Sequence, residues 1–174
     1  MIVKKRLVGR QRLGFGVTVK PMGIVEVEVC NFKSYSGVQT LGPFKTFTAV
    51  VGPNGAGKSN VMDALCFALG LKSAQLRGHN LGDLVHARGE GRIAPSSGYV
   101  EIVFEETPGK ARLRFKRSVT RSGSSEYFID GKSISWKKYE QSLLSVGINV
   151  KAKNFFGIPR RRGMYCTEIS VGTC

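Results

Sequence analysis

Apolar and polar residues alternate at period two through IVEVEVCNF, which begins at Ile24 and has the spacing of a half-buried strand. KSYSGVQTLGPF follows as a turn-rich connection into a short strand. FTAVVG, bounded by glycine, is a continuous β-branched run of the kind a central, buried strand carries. The period then changes. Over Ser59–Leu69 the apolar positions Val61, Leu65, Ala68 and Leu69 share one helical face, and Gly70 supplies the stop. Beyond it, LKSAQLRGHNLGDLVHARGEGRIAPSSG reads as a loop region in which LGDLVHA predicts a short helix. Period two returns in YVEIVFEE and in ARLRFKRSV, where Leu113, Phe115 and Val119 take one side and Arg112, Arg114 and Lys116 the other, with Arg117 and Arg121 nearby. EYFID-G-KSIS predicts a hairpin turning at Asp130-Gly131. Trp136–Val146, with Tyr139, Leu143, Leu144 and Val146 apolar, predicts an amphipathic helix that closes the pattern. NVKAKNFF is a candidate strand, and the remaining GIPRRRGMYCTEISVGTC shows no partner pattern.

Composition changes this picture at the ends. The net charge is +15 over 174 residues. Residues 1–22 hold six Lys/Arg and no acid, residues 151–174 hold five and one acid, and the middle is only mildly basic. Both ends are expected to be disordered, solvated extensions, although such a field also suits a polyanion partner. The opening segment has no apolar core or cleavage site of a secretory signal, and no run approaches the ~20 apolar residues of a membrane span. A membrane partner is therefore not expected. Cys30, Cys66, Cys166 and Cys174 form no CxxC pair, which points to a reducing compartment, cytosol or nucleus.

The chemistry lies between the buried run and the first helix. Gly52-Pro53-Asn54-Gly55-Ala56-Gly57-Lys58-Ser59 satisfies GxxxxGK[ST] in full. Glycines there let successive backbone N–H groups turn inward around phosphates, Lys58 reaches the β- and γ-phosphates, and the Ser59 hydroxyl ligates Mg²⁺. The helix that follows aims its N-terminal dipole at the same place. ATP or GTP with Mg²⁺ is the expected ligand. Hydrolysis needs an acid at the end of a second buried strand, and the one candidate, Glu105-Glu106 in VEIVFEE, follows an alternating pattern that reads as a half-exposed hairpin. If that acid serves, the chain is a free-standing small P-loop ATPase or kinase. His79 and His86 lack metal-ligand company and read as surface histidines.

The wording VEVCNFKSYSGVQTLGPFKTFTAVVGPNGAGKSNVMDALCFALGLKSAQLRGHNLGDLVH resembles the N-terminal head segment of the structural maintenance of chromosomes (SMC) ATPases, and within them the cohesin branch. The resemblance runs from about Gly23 to about Phe155. It implies an α/β P-loop NTPase fold, the N-terminal lobe of an ABC-type head with a mixed sheet and antiparallel β-hairpins. In that family the other half of the head supplies the signature motif, the Mg²⁺-binding acid and the catalytic glutamate, and two heads enclose two ATP molecules. The implied partners are a C-terminal half-head and a second SMC head, with DNA, and the implied place is the nucleus and chromosome. Asn60 joins Gly52–Ser59 around the phosphates, Lys33 and Ser34 of NFKSY approach the nucleotide, and Arg77 matches an arginine linked to DNA-stimulated turnover. The family continues past KAKNF into an LVFQGD-like glutamine loop, whereas this chain reads FGIPRRRGMYC. A half-head at residues 23–155, truncated before its coiled coil and binding ATP without hydrolysing it alone, is the expectation.

Arg112, Arg114 and Lys116 form a candidate DNA-contacting stripe on one face of their strand. The competing reading is an edge strand guarded by cations against aggregation.

Overall fold

The computed structural model describes residues 2–4, 23–44, 48–71, 80–87, 94–105 and 111–150. Arg77, His79, Glu106 and the segment 151–174 lie outside the described residues. Named in chain order, the strands are β1 (Ile2–Lys4), β2 (Gly23–Phe32), β3 (Tyr35–Leu41), β4 (Ala49–Val51), β5 (Ser97–Glu105), β6 (Arg112–Thr120), β7 (Ser125–Ile129) and β8 (Lys132–Ile134). Among the described residues the helices are α1 (Lys58–Ala68) and α2 (Trp136–Ser145), with a 3-10 turn at Leu81–Leu84 where the sequence predicts a short helix.

Six strands form one sheet in the order β3-β2-β5-β6-β7-β8, and every ladder among the described residues is antiparallel. Alternation sorts the side chains by face. Val27, Ile102, Phe115 and Ile129 stand opposite one another in a row, and Val29, Val100, Arg117 and Tyr127 form the next. This inner face is covered by α1 and α2. The ring of Phe67 from α1 lies 5.3 Å from that of Phe32, and Tyr139 from α2 packs edge-on against Phe115 at 5.6 Å. Val61, Leu65, Ala68 and Leu69 are all buried, as the helical spacing predicts. Leu144, read as part of the apolar face of the second helix, is instead 47 % exposed.

Two expectations change. FTAVVG does not become a central buried strand. β4 is three residues long, stands outside the six-stranded sheet and, among the described residues, pairs only with β1, Ile2 opposite Val51. A central strand needs a ladder on each edge, and the six sheet strands pair among themselves. In the basic extension, Ile2–Lys4 form that short partner strand where residues 1–22 were expected to lack structure.

Candidate phosphate-binding site

β4 runs into the loop Gly52–Gly57, and the loop into α1, so the glycine motif sits at the junction its chemistry requires. Gly55 and Gly57 hold φ of 83° and 82°, in the left-handed region that a side chain disfavours, and Gly57 is the N-terminal cap of α1. The loop closes on itself through Ala56 N–H to Pro53 O at 3.3 Å and Asn60 N–H to Gly57 O at 2.9 Å. Lys58 Nζ folds along its inner side and donates to Gly52 O at 2.8 Å and Pro53 O at 2.7 Å. Gly52, Pro53, Asn54 and Gly55 are exposed, while Ala56 through Asn60 are half-buried. The first N–H groups of a helix have no intrahelical acceptor. An exposed, glycine-turned loop with a cation against it therefore fits a phosphate chain. The Ser59 hydroxyl, at the second residue of α1, is the protein ligand this arrangement offers Mg²⁺, which takes most of its other oxygens from phosphates and water.

The two-residue turn between β2 and β3 is Lys33-Ser34, and the structure brings both residues to α1 beside the loop. Lys33 Nζ forms an ion pair with Asp63, which is 4 % exposed. Asn60 Nδ2 donates to Ser34 Oγ at 2.7 Å, and the Tyr35 hydroxyl donates to Gly57 O at 3.2 Å. The opposite end of α1 is also held. Tyr139 OH donates to Ala68 O at 2.7 Å, and Arg117 Nη1 donates to Phe67 O at 3.0 Å and Leu71 O at 3.3 Å.

Arg117, read only as lying near that basic stripe, is 5 % exposed and belongs to the inner face. Its guanidinium lies 4.4 Å from the centre of the Phe67 ring and 5.0 Å from that of Tyr127, with Nε donating to Ser125 Oγ at 2.9 Å. Burial pushes its pKa down, and Tyr127 and Tyr139 pull it partly back. The signal was present in the sequence, since Arg117 keeps period two with Phe115 and Val119. Asp63 and Tyr35 were missed for a different reason. Tyr35 closes the NFKSY motif but carries no signal of its own there, and only the i, i+3, i+6 spacing of Gly57, Asn60 and Asp63 hints that one line of the helix has a partner.

Arg112, Arg114 and Lys116 do share the outer face, across the sheet from α1. Arg114 Nη1 donates to Glu101 at 2.6 Å, a bond that raises the arginine pKa, and Arg112 Nε lies 3.7 Å from Glu105. Lys116 Nζ stands 3.9 Å above the Tyr99 ring. Glu28 accepts from Tyr99 at 2.7 Å on the same face, so acids from β2 and β5 interleave with the bases of β6. Glu105, the candidate hydrolytic acid, thus pairs within an antiparallel ladder, and β5 does not flank β4. Among the described residues no cluster of three or more His, Cys, Asp and Glu forms a preassembled metal site, and no helix is long and apolar enough to cross a membrane.

Strand, phosphate loop and helix in this order define a P-loop nucleotide-binding protein. The comparisons make the class specific. Residues 23–152 match the RecF/RecN/SMC N terminal domain. The chain is 48 % identical over 138 residues to structural maintenance of chromosomes protein 1 of Arabidopsis thaliana, covering 76 % of this chain and 11 % of that protein. It is 46 % identical over 152 residues to structural maintenance of chromosomes protein 1B of Mus musculus, covering 81 % and 12 %. The chain belongs to the SMC family. Among solved structures, an SMC ATPase described for ATP-driven dimerization and DNA stimulated activation superposes with a TM-score of 0.69 at 28 % identity, over 79 % of this chain and 86 % of that one. An SMC head bound to the C-winged helix domain of ScpA gives 0.68 at 29 %, over 75 % and 42 %. The chain spans about a tenth of the length of the two curated relatives it matches.

Proposed function

We propose that this chain is the ATP-binding N-terminal half of an SMC head of the cohesin kind. The observation that carries the reading is the Gly52–Ser59 loop, turned by left-handed glycines into the N-terminus of α1, with Lys58 drawn along its inner side. Asn54, Gly55, Ala56, Gly57 and Lys58 surround the phosphates, and Ser59 holds Mg²⁺. Asn60 and Ser34, joined to each other, stand beside the loop with Lys33. Bound Mg²⁺ supplies charge neutralisation between the β- and γ-phosphates. In the whole protein, a C-terminal half-head completes the domain, and engagement with a second SMC head uses the bound ATP. The similarity to structural maintenance of chromosomes protein 1 supports a chromosomal location and a part in sister chromatid cohesion. Arg77 remains the proposed link between DNA and that cycle. The paired charges on β6 make Arg112, Arg114 and Lys116 weaker candidates for DNA contact, because each phosphate contact there would have to compete with Glu101 or Glu105 or displace an aromatic ring.

Titration with a fluorescent ATP analogue in Mg²⁺ tests the reading. Lys58→Ala is expected to abolish binding while leaving the unfolding transition in place, and Ser59→Ala to remove the Mg²⁺ dependence. Equal affinity in wild type and Lys58→Ala would show that the loop is not the site.

A further inference from the structure

The turn between β2 and β3 meets α1 at three residues, one per helical turn. Tyr35 reaches Gly57, Ser34 reaches Asn60 and Lys33 reaches Asp63, so the hairpin runs antiparallel to the helix along one line of its surface. The other side of the turn is held too. Lys33 N–H donates to Leu84 O at 2.7 Å, His86 N–H donates to Asn31 O at 2.8 Å, and His86 Nδ1–H donates to Lys33 O. His86 O in turn accepts from Arg121 Nη2 at 3.0 Å, and Arg121 Nε reaches Pro95 O at 2.7 Å. The turn is thus clasped between the phosphate-loop helix and the segment that follows the 3-10 turn.

We propose that this turn is a latch on the phosphate loop: Tyr35 and Asp63 are positioning residues for nucleotide binding, and His86 is where the state of the loop is passed to residues 80–87. The inference rests on the nucleotide-binding reading and deepens it. Tyr35 acts on the peptide that caps α1. Holding Gly57 O fixes the orientation of the first N–H groups of the helix, which are those a phosphate meets. Asp63 acts one and a half turns further on by anchoring Lys33, and with it the turn that carries Ser34 and Tyr35. The hairpin's backbone ties at Asn31 O, Lys33 N–H and Lys33 O all lead to Leu84 or His86. A shift of the turn along α1 therefore moves the segment 84–86 with it. Burial raises the Tyr35 pKa, so the hydroxyl stays protonated and able to donate throughout the neutral range.

The test combines analogue titration with amide hydrogen exchange on the full chain. Tyr35→Phe keeps the ring and removes one hydrogen bond, and is expected to weaken ATP-analogue binding about twofold to tenfold. Added nucleotide is expected to slow exchange at the Lys33 and His86 amides in wild type, with that slowing diminished in Tyr35→Phe. Asp63→Asn, read in the folded fraction, is expected to weaken binding as well, and the double variant to lose less than the product of the two separate losses, because both act through one turn. Unchanged affinity in Tyr35→Phe, with the Lys33 and His86 amides indifferent to nucleotide, would overturn the latch while leaving the phosphate site intact. A wild-type chain that binds no analogue at all would overturn both.

Discussion

Replacing Arg117 with Met asks whether a cation inside the sheet–helix core holds the far end of α1. Methionine matches the apolar stem but ends two bonds short of the terminal guanidinium nitrogens, so the change removes the charge and its hydrogen bonds together with the packing of the guanidinium itself. Arg117 donates to Phe67 O, Leu71 O and Ser125 Oγ. Hydrogen bonds to a charged group contribute roughly 1.5–3 kcal/mol each, and simple addition overstates the loss. Phe67 O keeps the Gly70 N–H at 3.0 Å, and Ser125 Oγ keeps its bond to Ser118 O at 2.9 Å. Burial of a guanidinium among Phe67, Tyr127 and Tyr139 also costs free energy, which Met recovers. Against that recovery stand the cation's contacts with two aromatic rings and its place at the negative end of the α1 dipole. A net loss of about 2 kcal/mol is expected, or roughly 4–8 °C in thermal midpoint. Urea and thermal unfolding followed by circular dichroism measure it, with Arg117→Lys as a second variant that keeps charge but not the planar fork. If Arg117→Met proved as stable as wild type or more so, desolvation would outweigh the bonds and α1 would be held by apolar packing alone.

Two further outcomes follow from the same end of the helix. Gly70 has φ of 82°, and a Cβ there would fall 2.1 Å from the Trp136 ring, so Gly70→Ala is expected to destabilise by about 3 kcal/mol in urea unfolding; a loss under about 1 kcal/mol would show that Trp136 moves aside freely. Burial raises the phenolic pKa of Tyr35, Tyr99, Tyr127 and Tyr139 above the ordinary value near 10. Above that pH the unfolded chain releases protons that the folded chain retains, so stability falls as pH rises; Arg117, with a lowered pKa, acts oppositely and only at higher pH. The urea midpoint is expected to drop as pH rises from about 9 to 11, and to drop less in Tyr139→Phe, whereas a flat or rising midpoint would contradict the burial of these hydroxyls.

The β-hairpins, α1 and the phosphate loop were legible because each follows from a local rule: period two, an apolar face repeating every three to four residues, an Asp-Gly turn, a glycine motif at a strand–helix junction. What escaped depended on contacts distant in sequence. The pairing of Lys33 with Asp63 spans thirty positions, and that of Tyr139 with Ala68 spans 71. Arg117 was a different case, since its alternation placed it inward while its charge argued outward. The geometry decided for the alternation because carbonyls and rings, with no acid, received the cation. β4 misled in the reverse sense, its composition asking for a central strand where, among the described residues, only β1 pairs with it.

That placement of β4 has a thermodynamic consequence. The strand that delivers the chain into the phosphate loop carries one three-residue ladder, and among the described residues its other edge bears no strand. A nucleotide that holds the loop therefore also holds the end of the strand that feeds it. A strand added along that edge would hold the same element from the other side. The two events are linked, so by reciprocity the factor by which an added strand tightens nucleotide equals the factor by which nucleotide tightens the strand. Through β4 the affinity of the loop becomes a property of whatever pairs with that strand as much as of its own eight residues.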